Sequence, residues 1–226
     1  DNRIEYQMPV EECGNMLIMT AAVCRCEGSA GFAAEYRDLL EVWAQYLMNN
    51  GMDPGNQLCT DDFAGHLAHN ANLSVKAILG IASYGMILEM SGNKSRAAEL
   101  FDTARGMAAQ WEQRALDGDH YRLAFDREGT WSQKYNMVWD RVFGLHLFPP
   151  EIAERETAYY LKMQNRYGLP LDSRKSYTKA DWIIWSACLA ERGEDFTELV
   201  RPLRRFLNES QSRVPFTDWY DTLTAK

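Results

Sequence analysis

The chain has 226 residues, of which 46% are hydrophobic and 25% are charged, and its formal net charge at pH 7 is -8. This composition is typical of a globular protein of one or two domains with a sizeable core. The acidic balance and the lack of a basic cluster argue against nucleic acid as a partner. No uninterrupted apolar run approaches the roughly 20 residues that a membrane span requires, so no membrane partner is expected either.

Apolar periodicity and helix-ending signals predict eight helices. Six glycines each follow a predicted helical run, as left-handed C-terminal caps require, and Pro9 and Pro150 suit the first position of a helix. The predicted helices pair in chain order into four antiparallel hairpins and span residues 9–27, 33–50, 71–91, 94–117, 134–146, 150–167, 179–192 and 195–210. Between the second and third hairpins, alternating polarity predicts one short β element near residues 120–126.

The two helices of each predicted hairpin differ in polarity. The first is apolar nearly all round, as in residues 77–82 and 182–189, whereas the second carries one apolar stripe, such as Leu199, Leu203 and Phe206. All-round apolarity predicts burial on both sides, and a stripe predicts a surface helix. The sequence therefore predicts an all-α fold, an (α/α) toroid in which an outer ring of helices wraps an inner ring. A helical solenoid is the rival architecture, but the hairpins share no consensus sequence and their connections differ in length.

The connections that lead into the inner helices carry most of the polar side chains, whereas the opposite turns are bland. In a toroid these connections lie at the same end of the barrel, so the sequence predicts a site in that mouth. The predicted catalytic residues are carboxylates, suited to general acid and base chemistry: Glu11, Glu12, Asp61, Asp62 and Asp218. The predicted substrate-binding residues are Asn15, His66, Asn70, Lys134, Asn136, Asp172, Arg174 and Asp221.

Several of these side chains also have a structural interpretation. Acidic residues in a first helical turn complement the helix dipole. Carboxylates at residues 61–62 close to His66 and His69 have the chemistry of metal ligands, but helix capping within a hydrogen-bond network explains them as well. Arg174 either clamps a substrate carboxylate or pairs with Asp172 to fix its own loop. No metal and no cofactor is predicted, the five cysteines are expected to be free thiols, and no serine or cysteine nucleophile motif is present.

At these same loops the sequence resembles the glutaminase A family, large secreted proteins of fungi and gut bacteria. The matching segments follow the family order and are MPVEECGNM at residues 8–16, TDDFAGHLAHN at 60–70, KYNMVW at 134–139, PLDSR at 170–174, TKADW at 178–182 and PFTDWYD at 215–221. The family usually has Ser at the position of Cys13, which weakens any role for a hydroxyl group there.

The resemblance implies a six-hairpin toroid in a longer protein that begins with β-rich domains and is secreted or periplasmic. Residues 1–226 are then one toroid domain with four of the six hairpins, and the rest of the parent protein or another chain completes the barrel. The implied reaction is hydrolysis of L-glutamine to L-glutamate and ammonia. For this reaction, our own hypothesis places Arg174 on the substrate's α-carboxylate and Asp61 or Asp62 on its ammonium group. A glycoside hydrolase with paired carboxylates on the same fold is the alternative, and a non-catalytic binding module is the third hypothesis. The expected partner is a small molecule, an amino acid or a saccharide.

Overall fold

The computed structural model describes residues 7–59, 64–211 and 217–226, and this part of the chain is mainly helical. Its helices are α1 (Pro9–Glu27), α2 (Gly31–Ala34), α3 (Arg37–Asn50), α4 (Ala71–Met90), α5 (Lys94–Ala115), a 3₁₀ turn (Tyr135–Met137) that continues into α6 (Val138–Phe143), α7 (Pro150–Met163), α8 (Ala180–Ala187) and α9 (Gly193–Glu209). Its strands are β1 (Leu116–Asp117), β2 (His120–Tyr121), β3 (Tyr177–Lys179) and β4 (Trp219–Asp221). The predicted helical class and the four helix pairs are confirmed.

The predicted difference between inner and outer helices is confirmed by burial. Helix α4 buries 17 of its 20 residues, whereas its outer partner α5 buries 7 of 22 along one stripe. Among the described helices, α4 is long and apolar enough to cross a membrane, but 83% of its most apolar window is buried inside the fold. The apolar surface of α4 therefore forms the centre of the core, where it packs mainly against α1 and α5.

Two glycines bring α1 and α4 into close contact. A Cβ added at Gly14 would lie 2.6 Å from Lys76 Cγ, and one added at Gly80 would lie 2.8 Å from Leu47 Cδ1 and 3.1 Å from the Gly14 Cα. Real Cβ atoms do not approach that closely, so the missing side chains set the distance between the two helices. The same contact makes room for the long stem of Lys76, which crosses from α4 to α1.

Several predicted boundaries are wrong. The predicted helix 33–50 is divided at residues 35–36 into α2 and α3. The helix predicted over 134–146 ends at Phe143, where Gly144 caps it with a φ of +67°. The predicted helix 150–167 ends at Met163, before a turn closed by a hydrogen bond from the backbone N–H of Asn165 to the carbonyl of Gly168. The predicted helix 179–192 becomes α8, which begins one residue later because residues 177–179 pair as a strand with β4, and which ends at Ala187, five residues before the predicted end.

The predicted short β element is present as β2, at the start of the predicted range 120–126. It pairs antiparallel with β1 directly after α5, with Leu116 opposite Tyr121. The β3–β4 pair, with Thr178 opposite Tyr220, was not predicted from the sequence. This second pair ties the C-terminal segment to the connection that leads into α8.

One flank of the first hairpin exposes apolar side chains. Met16, Met19 and Val23 form a stripe along α1 with exposed fractions of 40%, 59% and 41%, and Leu39 and Val42 of α3 are also exposed. Spacings of three and four residues place such side chains on one helix face. The first hairpin therefore presents an apolar surface that no described residue covers.

Candidate functional site

The connections into α4, α6 and α8 meet the first turn of α1 at one cleft. The cleft measures about 340 Å³ including its solvent-open part. Its lining residues come from all four hairpins and are Glu11, Cys59, Asn70, Asn72, Leu73, Leu123, Ser132, Gln133, Tyr135, Asn136, Leu171, Asp172 and Arg174. Five of the predicted site residues are therefore brought together: Glu11, Asn70, Asn136, Asp172 and Arg174.

The start of α1 is fixed so that Glu11 lies in its first turn. Pro9 occupies the beginning of the helix, where its missing N–H leaves no hydrogen bond unmade. The backbone N–H of Val10 donates to Gln57 Oε1 at 3.0 Å, which anchors the helix to the connection that precedes α4. As a result, the carboxylate of Glu11 lines the cleft instead of facing solvent.

A buried ion pair joins Glu11 to the middle of the core. Lys76 Nζ lies 2.5 Å from Glu11 Oε1 and donates to Asn15 Oδ1 at 2.8 Å, while Asn15 Nδ2 donates to the same Glu11 oxygen at 3.1 Å. The side chains of Lys76 and Glu11 are only 4% and 2% exposed. Two charges at this depth are tolerated because they are paired and hydrogen-bonded. Asn15, predicted to bind substrate, is thus a direct partner of the carboxylate at the cleft.

The N-terminus of α4 forms a second wall. Asn70 caps this helix, because its Oδ1 accepts a hydrogen bond from the backbone N–H of Leu73 at 3.0 Å. Its Nδ2 points to Cys59 Sγ at 3.8 Å. The first turn of α4 adds Asn72, and the positive end of the helix dipole lies at the same edge of the cleft.

The connection into α6 supplies the third wall. Gln133 is fully buried and satisfied: its Nε2 donates to the carbonyls of Leu169 and Pro170 at 3.1 Å, and its Oε1 accepts from Ser186 Oγ at 2.9 Å. The Tyr135 ring stacks on Trp182 with centroids 4.2 Å apart and planes 9° apart. These contacts hold the backbone of the 3₁₀ turn in place, and this turn includes Asn136.

Asp172 and Arg174 form a locked pair at the rim. Arg174 donates to Asp172 through Nη2 at 2.6 Å, Nε at 3.0 Å and its backbone N–H at 2.8 Å. Its Nη1 donates to the carbonyl of Ala64 at 2.9 Å. These contacts support the loop-fixing interpretation of this pair, because the bidentate face of the guanidinium is already on a carboxylate.

Lys134 is placed away from the cleft. Its side chain is fully buried, and Nζ donates to the carbonyls of Tyr121 at 3.0 Å and Ser132 at 2.9 Å, with Glu156 Oε2 at 3.5 Å. Burial lowers the pKa of Lys134 against the opposing attraction of Glu156. Tyr160 donates to the same Glu156 oxygen at 2.5 Å, which completes a core network beneath the site. The contacts of Lys134 are thus structural, and a role in binding substrate stays a prediction without support from its position.

Three predicted residues of the α1 start and the C-terminal segment also lie outside the cleft lining. Glu12 is exposed and borders a surface groove with Trp43 and Tyr46, and Asp218 is exposed and pairs with Lys179 at 3.1 Å. Asp221 organises the C-terminal turn by accepting from the backbone N–H groups of residues 223 and 224. Although burial acts to raise the pKa of Asp221, these bonds and the one from Ser176 hold it below its usual value.

His66 is exposed, and Asp61 and Asp62 lie outside the described residues. His69 Nδ1 lies 2.7 Å from Asp53 Oδ1, so it contacts a carboxylate that Arg114 also holds at 2.5 Å. Within the described ranges, no three His, Cys, Asp or Glu side chains converge as metal ligands would. The roles predicted for residues 61 and 62 stay predictions.

Sequence reasoning missed Lys76 and Asn72. Lys76 had a signal in the sequence, since it is the one charged residue in the apolar stretch of residues 71–88, and a charge in such a place requires a partner. Asn72 had no such signal, because an amide in a first helical turn is ordinary.

The comparisons with known proteins agree with this architecture. The family model described as the glutaminase A six helical-hairpin domain matches residues 1–226. Glutaminase A of Aspergillus oryzae is 34% identical over 225 residues, which cover 97% of this chain and 32% of that protein. A probable glutaminase of Arthroderma benhamiae is 27% identical in an alignment 307 positions long that covers 98% of this chain and 35% of that protein. The chain thus spans about a third of the length of these curated relatives. It belongs to the family of glutaminase A six helical-hairpin domains.

Proposed function

We propose that the cleft is the substrate site of a glutaminase, which hydrolyses L-glutamine to L-glutamate and ammonia. One observation carries the proposal: a buried carboxylate, Glu11, lines a small cleft among side-chain amides at the mouth where the connections converge. The names of the relatives support this reaction, and the family match over the whole chain supports proposing the same reaction for this protein.

In the proposed reaction, Glu11 is the base. It accepts a proton from water, whose oxygen adds to the δ-carbonyl carbon of glutamine and forms a tetrahedral intermediate. The C–N bond then breaks, and the same carboxyl group returns the proton to the departing nitrogen, so that ammonia leaves and the base is restored. The ammonium group of Lys76, 2.5 Å from Glu11 Oε1, holds the carboxylate in position throughout.

The remaining cleft residues position the substrate. The Asp172–Arg174 pair shapes the rim, because its guanidinium already contacts Asp172 and the carbonyl of Ala64. Asn70 and Asn72 present polar side chains at the α4 N-terminus, where the helix dipole favours a negative group such as the α-carboxylate of an amino acid. These assignments replace the carboxylate-binding role that the sequence predicted for Arg174.

We also propose that further segments of the same protein cover the apolar flank of the first hairpin. The curated relatives are about three times as long as this chain, and the family is named for six hairpins where four helix pairs are described here. An additional hairpin would bury Met16, Met19 and Val23 as α4 buries the opposite side of α1. Export to a secreted or periplasmic location stays a prediction of the family resemblance.

The test compares two neighbouring acids in the protein that contains this chain. Glu11→Gln keeps the shape of the side chain and removes its basicity, so ammonia release from L-glutamine is expected to fall by about 10²–10⁴. Glu12→Gln, on the exposed side of the same helical turn, is expected to keep wild-type turnover. Equal turnover in folded Glu11→Gln protein would refute the role of Glu11. Release of sugar from oligosaccharides without ammonia from glutamine would favour the glycoside hydrolase, and neither reaction would favour a binding module.

A further inference from the structure

The side-chain amide of Asn136 is held in one orientation at the wall of the cleft. Its Nδ2 donates to the backbone carbonyl of Asn72 at 3.0 Å, and its backbone N–H points to Asn72 Oδ1 at 3.4 Å. Exchanging the oxygen and nitrogen of this amide would set two carbonyl oxygens against each other. The contact with Asn72 therefore decides the orientation and leaves Oδ1 on the other branch of the side chain.

Asn136 Oδ1 has no hydrogen-bond partner within the part of the chain that the structure describes, although the residue is only 1% exposed. A buried carbonyl oxygen without a donor costs about 1–3 kcal/mol, and each such atom in a native protein requires an explanation. Gln133, the neighbouring amide in the same cleft, has both ends satisfied. Seven other buried side-chain atoms in the described part of the chain also lack a partner, but none of them belongs to a residue that lines the cleft.

We propose that Asn136 is the residue that selects a carboxamide substrate, because its Oδ1 accepts a hydrogen bond from the N–H of the amide group that is cleaved. This inference rests on the proposed glutaminase function and adds the feature by which the site distinguishes an amide from an acid or an ester. Asn136 Oδ1 contacts one N–H of the primary carboxamide, while Glu11 keeps its proposed role as the base for the attacking water. The carboxylate of the product has no N–H to donate, so it loses this contact and leaves.

The test uses two substrates that differ only in the leaving group, L-glutamine and the γ-methyl ester of L-glutamate, which has no N–H at that position. In the protein that contains this chain, Asn136→Leu is expected to lower kcat/KM for glutamine by roughly 5- to 150-fold, the equivalent of about 1–3 kcal/mol. Hydrolysis of the ester is expected to stay at the wild-type level, which also reports that the variant is folded. A purely structural role for Asn136 would lower both rates together and would overturn the inference.

A measurement on the wild-type protein keeps the inference testable if Asn136→Leu does not fold. The γ-N-methylamide of L-glutamate keeps one N–H and the γ-N,N-dimethylamide keeps none. The dimethylamide is expected to compete with glutamine at least several-fold less well than the monomethylamide, and equal inhibition would overturn the inference. If the wild-type protein hydrolyses no glutamine at all, the proposed function fails first, and that result is distinct from a variant that loses amide and ester hydrolysis equally.

Discussion

Removing the charge of Lys76 is the perturbation with the largest expected effect on stability. Lys76→Met keeps the length and the apolar stem of the side chain, which pass beside Gly14, but deletes the ammonium group that lies 2.5 Å from Glu11 Oε1. The Glu11 carboxylate, 2% exposed, then stays in the core without its cation. A buried charge without compensation is far less favourable than a buried pair.

The magnitude follows from the depth of the pair. Breaking a buried ion pair by removing one partner costs about 3–5 kcal/mol, a large part of the roughly 5–15 kcal/mol that stabilises a typical domain. For a chain of this size, each kcal/mol lowers Tm by about 2–4 °C. We therefore expect Lys76→Met to lower Tm by roughly 6–20 °C.

Urea unfolding of four proteins separates this effect from a general loss of packing. The wild type, Lys76→Met, Glu11→Leu and the double variant form a double-mutant cycle. Since replacing both charges by apolar groups is often nearly neutral, the double variant is expected to be more stable than Lys76→Met alone. Lys94→Met, at the exposed start of α5, serves as the matched control and is expected to change stability by less than about 0.5 kcal/mol. A double variant as unstable as the sum of the two single variants would refute the argument.

The other predictions concern packing, acid stability and the apolar flank. Gly80→Ala places a Cβ 2.8 Å from the nearest side-chain carbon, so it should cost about 1–3 kcal/mol in urea unfolding, whereas Gly106→Ala, with open space around it, should be neutral or stabilising. Although burial acts to raise it, the pKa of Asp53 is lowered by its hydrogen bonds with Arg114 and His69. A lowered carboxyl pKa stabilises the fold above the unfolded value near 3.9, and this contribution is lost as the pH falls below it. The free energy of unfolding, measured as a function of pH, should therefore decrease below about pH 4, and this decrease should be smaller in Asp53→Asn. Met19→Glu should leave the 226-residue chain as stable as before but destabilise a protein that contains further hairpins; no difference between the two would contradict a covered flank.

Much of the fold could be predicted because the buried positions of a helix are occupied by apolar residues at a regular spacing in the sequence. The all-round apolarity of α4 and the single stripe of α9 are local patterns, and each follows directly from the layer in which the helix lies. The convergence of polar connections at one mouth then follows from the alternation of inner and outer helices. The β3–β4 pair could not be predicted in this way, since it joins segments about 40 residues apart whose short runs carry no alternating pattern.

The site could be predicted only as a region. Glu11 and Glu12 are adjacent acids in one helical turn, and only the packing of α1 on α4 decides which one faces Lys76 and the cleft. Lys134 and Asn136 are likewise two residues apart, yet one enters a closed core network with Glu156 and the other lines the cleft. Polar residues in a loop have the same sequence pattern whether they face a cavity, a core or solvent. Which of these three a given side chain faces depends on tertiary contacts.

A crystal structure of the Glu11→Gln variant with L-glutamine tests the central claim most directly, because the variant is expected to bind substrate without turning it over. The protein that contains this chain is the one to crystallise. We predict glutamine in the cleft, with its carboxamide between residue 11 and Asn136 Oδ1 and with the Asp172–Arg174 pair still closed at the rim. Glutamine bound elsewhere, for example in the surface groove beside Trp43, with the cleft empty at saturating concentration, would contradict the account.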